Sequence, residues 1–300
     1  GASASEIENL EASSLFSFIS KQISKVEKIF GRDLSQEAAT AYPSKDKYDV
    51  QQPYALALAA ELIEKYDAIV VDEAQDFHDS YWMGVEDFLK KDGYFYIFYD
   101  HNQRLYNKEA KFPIDEAPFY LTHNCRNTSE IHSFCYRFYE GVETSASDIS
   151  GSKVEFIKGI NIEKQAASIH SLILHLLIEE SVGCSQIKVL VNGGKQQVRS
   201  FKFLSQKPLP KPYGWQEKRS SHEITNLSNS KESNSKIQLE TICRFKGLEA
   251  DILIVWGLEG LDIDRDRELF YVASSRAKSR LFIVGDEHTC AHIKSNNDTG

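Results

Sequence analysis

Five short strings hold the side chains of this 300-residue chain whose types and spacing could do chemistry. Asp72-Glu73 follows the apolar run Ala68-Ile69-Val70-Val71 and is trailed by Gln75-Asp76. Asp100 ends a second such run, Tyr94 to Tyr99, and leads into His101-Asn102-Gln103. Acidic residues at the carboxyl ends of parallel strands are where an open α/β sheet places its ligand. Arg126 stands in Asn124-Cys125-Arg126-Asn127, and Arg276 in Tyr271-Val272-Ala273-Ser274-Ser275-Arg276-Ala277. A guanidinium fork meets phosphate oxygens two at a time. Lys246-Gly247-Leu248-Glu249 adds a turn glycine between opposite charges. Each string by itself has a plainer reading: an acidic turn, a polar loop, a surface arginine beside a carboxylate, an amphipathic helix with a basic end. Those readings do not explain why all five occur together.

In this order the strings resemble the second to sixth signature motifs of superfamily 1 DNA helicases of the UvrD/Rep type, over roughly residues 55 to 290. The resemblance implies an α/β fold of two RecA-like parallel-sheet domains of the P-loop NTPase type, the first incomplete at its N-terminus. It implies ATP and Mg²⁺ as cofactors and single-stranded DNA as partner. Asp72 would hold Mg²⁺ through water, since Mg²⁺ keeps much of its hydration shell. Glu73 would orient and deprotonate the attacking water. Gln103 would sense the γ-phosphate, Arg126 and Arg276 would reach it from the second domain, and Gly247 and Glu249 would meet the nucleotide, Glu249 at its ribose. Tyr106, Thr241 and Lys246 would touch nucleic acid.

The departures matter as much. Cys125 stands where the family has Tyr, Cys243 where it has His, and Lys108 where it often has an aromatic platform for a base, a role open to Tyr106 or Tyr120. The phosphate-binding loop, Gly-x-x-x-x-Gly-Lys-Ser/Thr, has no counterpart before Asp72. Gly193-Gly194-Lys195-Gln196 is not one, because Val189 and Gln196 break its pattern, and it reads as a strand-to-helix turn.

The elements that must carry these residues follow from periodicity. Apolar spacings of three and four predict a helix over 9–30, and residues 31–53 read as a polar connection. A second helix is expected over 54–65. The run 68–71 suits a parallel strand covered on both faces. Further strands are expected at 154–157, 187–191, 237–242, 252–256 and 281–284, with helices at 162–178, 195–204 and 267–278. The domain boundary falls near 120: a partial first domain over 1–120 with a helical segment at 1–53 and the second and third motifs at 68–106, then a second domain over 121–300. Residues 205–235, with Pro208, Pro210, Pro212 and a Ser/Asn-rich stretch, read as a mobile insertion. Asp262 to Arg267 reads as a solvated turn and helix start, and His288, Cys290 and His292 as a solvated tail.

Hydrophobic content of 41% with 26% charged residues is ordinary for a globular protein. The net charge of -9 does not advertise nucleic acid, though it does not bar a local basic channel. Five scattered cysteines suggest reduced thiols and a cytoplasmic location, and no run is long enough to span a membrane. A start at Gly1 with Met83 as the one methionine fits a fragment whose upstream part carries the phosphate loop or a nuclease. The expected function is thus part of an ATP-dependent DNA helicase or translocase, inactive without that loop. Two rivals stand beside it: a catalytically inactive pseudo-helicase that serves as a binding module, and a nucleotidase or signalling NTPase on the same fold.

Overall fold

The computed structural model describes residues 10–103, 111–218 and 235–295. It divides into two units, one built from residues up to Asp100 with 111–117, the other from His101–Gln103 and Pro118 onward.

In the first unit, helix α1 (Leu15–Phe30) opens with Ser14 accepting from the Ser17 N–H and closes on Gly31, whose φ of 66° is the left-handed cap that a residue without Cβ adopts freely. The expected connection holds a helix, α2 (Leu34–Ala41), capped by Asp33 accepting from the Gln36 N–H at 2.9 Å. Only Leu34 and Ala38 of it are buried, too thin a stripe to show as periodicity. Helix α3 (Gln52–Ala60) carries Pro53 in its first turn, where no N–H is missed, and α4 spans Ser80–Glu86.

These helices pack on one face of a two-stranded parallel sheet, β1 (Tyr66–Val71) beside β2 (Leu89–Ile97). Val71, Phe95 and Ile97 join Leu56, Ala59, Trp82 and Phe88 in one core. The other face is open, contrary to the expectation of a strand covered on both sides. Val70, Tyr94, Tyr96 and Phe98 are 50 to 66% exposed, and the Tyr94 and Tyr96 rings stack at 6.4 Å.

The second unit is a six-stranded, all-parallel sheet in the order β3-β8-β7-β4-β6-β5, so the chain is α/β with parallel sheets, as expected. The strands are β3 (Glu155–Lys158), β4 (Ile187–Val191), β5 (Gly214–Glu217), β6 (Lys236–Thr241), β7 (Ala250–Trp256) and β8 (Ala277–Gly285). Alternate residues of β7 show why the strands read as continuous apolar runs. Leu253 and Val255 enter a core with Ile131, Phe138 and Phe270, while Ile254 and Trp256 enter another with Ile169, Ile173 and Leu204. The first core is roofed by α5 (Ser129–Tyr136), α8 (Arg267–Ser275) and α9 (Glu287–Ser295), the second by α6 (Ile162–Leu174) and α7 (Gly193–Ser205).

Three expectations are corrected here. The stretch 205–235 is not wholly irregular: β5 extends the sheet beside β6, and the Trp215 indole donates to the Lys207 carbonyl at 2.8 Å. Residues 219–234 of that stretch lie outside the described residues. The tail at 288–292 is helix α9, with Cys290 and Ile293 buried against the sheet. Helix α8 ends at Ser275 instead of Lys278, because Ala277 already pairs with Ala250 as β8 begins. The turn at Asp262 to Asp266 and the strand-to-helix turn at Gly193 stand where expected. Among the described residues no helix is long and apolar enough to cross a membrane.

Candidate nucleotide and nucleic-acid site

In the first unit β1 delivers Asp72, solvent-exposed, at its carboxyl end, and the chain turns sharply at Glu73 with φ 52° and ψ 37°. A non-glycine residue in that left-handed region costs roughly 1–2 kcal/mol and must be held there. The holding bonds are local. Asp72 Oδ1 accepts from the Glu73 N–H at 2.9 Å, and the Ala74 N–H donates to the Phe98 carbonyl at 3.0 Å. Gln75, fully buried, donates through Nε2 to Glu73 Oε2 at 2.7 Å and accepts through Oε1 from the Asp100 N–H at 3.1 Å. One amide thus fixes the Glu73 carboxylate and ties the end of β1 to Asp100, three residues beyond β2.

Asp72 at the strand tip suits a cation that takes one carboxylate and fills its other positions with water and phosphate. Among the described residues no group of three or more His, Cys, Asp or Glu side chains gathers to hold a metal by protein ligands.

In the second unit the loop before α5 is knotted by side-chain bonds to its own backbone. Asn124 Oδ1 accepts from the N–H groups of Arg126 and Asn127, and Asn127 Nδ2 donates to the carbonyls of Ser275 and Ala277 at 3.0 and 2.5 Å. Arg126 Nε then donates to Glu249 Oε2 at 3.1 Å, and Lys278 Nζ meets Glu249 Oε1 at 2.5 Å. One carboxylate so holds two cations drawn from distant strings. Its pKa lies below the ordinary value of 4.5, chiefly through the Lys278 hydrogen bond and then through both neighbouring positive charges, with burial opposing. Gly247, at φ 76°, makes the turn that brings Glu249 back to the start of β7.

Arg276 sits at the junction of α8 and β8 and is 1% exposed. Its guanidinium donates to the Val272 carbonyl at 3.3 Å and to Ser275 Oγ at 3.3 Å. Gln103, in the short turn His101–Gln103, takes the Lys246 ammonium on its backbone carbonyl at 2.6 Å. Asn102 beside it exchanges two hydrogen bonds with the Glu140 backbone, at 2.8 and 2.6 Å. Thr241, at the end of β6, accepts from Arg244 Nε at 3.1 Å, and Arg244 also binds Gln197 Oε1. Tyr106, Arg104 and Lys108 lie outside the described residues.

The second unit therefore brings Arg126 together with Glu249, and Lys246 with Gln103, and it seats Thr241 on Arg244. Asp72 and Glu73 form their own group in the first unit. Sequence reasoning missed Gln75 and Asn127 as organisers and Lys278 as the second partner of Glu249. It also missed Lys188, half-buried with its ammonium donating to the Ser185 carbonyl at 3.2 Å, and Glu240, 3% exposed, on adjacent strands β4 and β6. Burial pulls Lys188 down to about 8 and pushes Glu240 up, the latter against the charges of Lys218, Arg244 and Lys188. Their signal was a charged residue inside an otherwise apolar strand.

No protein-family model matches the chain, and no curated protein sequence matches it. Solved structures do. The C-terminal domain of a possible DNA helicase from Lactobacillus plantarum WCFS1 is similar at 17% identity and a TM-score of 0.41, over 54% of this chain and 86% of that one. Saccharomyces cerevisiae Dbp5 bound to RNA and ADP BeF3 is similar at 13% identity and a TM-score of 0.46, over 81% of this chain. A substituted form of Dbp5 gives 13% and 0.45 over 80%. The chain spans 60% of the length of those two Dbp5 chains. At these scores the overlap is partial, and the α/β parallel-sheet class rests on the strand order itself.

Proposed function

We propose that this chain is part of an ATP-dependent DNA helicase or translocase of the UvrD/Rep type, built on two RecA-like units. The observation that carries the reading is the gathering of the strings that resemble the family's fourth, fifth and sixth motifs: Arg126 and Lys278 on Glu249, with Asn127 on Ser275 and Ala277. The cluster of two cations and a carboxylate lies at the amino ends of β7 and β8, and its chemistry suits a nucleotide, with Arg126 for phosphate and Glu249 for a ribose hydroxyl. In the first unit Asp72 would place Mg²⁺ and Glu73 the attacking water, with Gln75 holding Glu73 in line. The open apolar face of the β1–β2 sheet supports further elements completing that unit, since parallel sheets are covered on both faces.

When bound, MgATP supplies the transferable phosphoryl group and the charge-neutralising cation. Arg126 and Arg276 would neutralise charge developing on the phosphoryl oxygens, a contribution of ~10³ to 10⁵ in rate for such arginines. Gln103 and Lys246, joined by one hydrogen bond, would couple that event to the strand path.

Fluorescence anisotropy with a labelled single-stranded oligonucleotide at low and moderate salt tests the nucleic-acid half of this reading. The expected result is weak binding that falls steeply with salt, as released counterions require, and that weakens further on Lys246→Glu. Tight binding indifferent to salt, or no binding at low salt, would contradict it and favour the nucleotidase.

A further inference from the structure

The second unit carries a groove that the nucleotide reading does not use. It lies between α5 and α9 over β3, with a volume of about 1200 Å³. β3 is the outer strand of the sheet, bonded to β8 and to no other strand among the described residues. The floor is apolar, made by Phe134, Val154 and Phe156. The rim is cationic: Arg137, Lys153, Lys158 and Lys294, against one carboxylate, Glu130. In a chain of net charge -9 that local excess is a departure from the average.

The charges are disposed outward. The Glu130 carboxylate is engaged locally, accepting from the Gly151 N–H at 2.6 Å and from Ser129 Oγ at 3.1 Å. Lys158 is held by Glu287 at 2.5 Å. Lys153 and Lys294, both exposed, make no ion pair among the described residues.

We propose that this groove docks an extended acidic segment of a partner protein, with apolar side chains on the Phe134–Val154–Phe156 floor and carboxylates toward Lys153 and Lys294. Two observations favour a polypeptide over a nucleic acid strand. Single-stranded nucleic acid gains affinity by stacking bases on exposed aromatic faces. Here Phe134 is only 7% exposed, Phe156 meets it edge-on at 6.1 Å, and the Arg137 guanidinium covers the Phe134 ring at 4.3 Å, so Phe134 presents no free face to a base. Next to the groove runs an outer strand, whose backbone groups match another strand's and not a phosphodiester's. Arg137 reinforces the site as a fixed charge, since Nε and Nη1 are committed to the Phe134 and Ile293 carbonyls while its Nη2 is buried without a hydrogen-bond partner.

The test is fluorescence polarisation on the whole 300-residue chain with a labelled peptide alternating Glu and Leu. A Lys/Leu peptide of the same length and a single-stranded oligonucleotide serve as the other arms. The acidic peptide should bind and the basic one should not. Lys153→Glu with Lys294→Glu should weaken the acidic peptide at least about tenfold, and Lys153→Gln with Lys294→Gln should weaken it less, with oligonucleotide affinity unchanged in both. Absence of acidic-peptide binding, or binding indifferent to both variants, would overturn the proposal. So would loss of oligonucleotide affinity in place of peptide affinity, which would make the groove a nucleic-acid path.

Discussion

Arg126 and Glu249 lie 123 residues apart in the chain and meet through one hydrogen bond of 3.1 Å, with Lys278 on the other carboxylate oxygen at 2.5 Å. All three side chains are about 40% exposed, so the cluster contributes little to stability, about 0–1 kcal/mol for exposed pairs. Its pH dependence has a definite sign. The Glu249 carboxyl is held below 4.5, so the stabilisation is complete above that pH and disappears as pH falls through the lowered value. Denaturant unfolding of the wild type and Glu249→Gln should differ slightly at neutral pH and converge in strong acid. A difference that grows on acidification would refute the assignment.

Gln75 has a larger structural duty. It is fully buried and satisfies both the Glu73 carboxylate and the Asp100 N–H. Gln75→Leu keeps the volume and removes both bonds, stranding a buried donor, at ~1–3 kcal/mol. Urea unfolding should register that loss, while Gln75→Glu, which keeps an acceptor for Asp100, should behave differently. Equal stability of Gln75→Leu and wild type would show that the clamp is not formed in solution.

Lys188 is pulled down to about 8 by burial, with the charge of Lys218 adding to it. The unfolded chain therefore binds more protons than the folded one between about pH 8 and 10.5, and stability rises with pH across that window. Lys188→Met should stabilise the fold at pH 7 by on the order of 1–3 kcal/mol, and the advantage should shrink as pH approaches 10.5. Thermal melts of the two proteins across this range decide it, and a constant difference would place the ammonium in solvent.

Ile254, fully buried on β7, tests the sheet itself. Ile254→Ala should cost ~2–5 kcal/mol by deleting packed methyl groups. Val198→Ala, on a half-exposed position of α7, should stay within about 0.5 kcal/mol. Similar small effects for both would mean the central strand is not packed as described.

What the sequence discloses follows from how strongly one force dominates a segment. β4 falls on 187–191 as read, because a run of Ile, Val and Leu with both faces covered has no competing interpretation. α2 escaped because two small buried contacts, Leu34 and Ala38, leave no periodic stripe. The end of α8 was read three residues late, since Arg276-Ala277-Lys278 is helical by propensity and only pairing with β7 makes it strand. α9 was mistaken for a tail because its buried residues, Thr289, Cys290 and Ile293, are few and only one is strongly apolar. In the candidate site, the five strings were visible as residue types, but their partners were not. That Gln75 serves Asp100, or that Glu249 takes Lys278 as well as Arg126, depends on chain reversals that no local pattern encodes.

The most direct test of the central claim is phosphate release from ATP with and without single-stranded DNA. It compares residues 1–300 with the same chain supplied with an upstream phosphate-binding loop, and that longer protein with its Glu73→Gln variant. Loss of one preorganised donor in an active site costs ~10² to 10³ in rate, and a missing loop withdraws several. The account predicts no measurable turnover by the 300-residue chain, DNA-stimulated turnover by the longer one, and its loss on Glu73→Gln. Robust turnover by the 300-residue chain, or turnover of the longer protein indifferent to DNA and to Glu73→Gln, would contradict it.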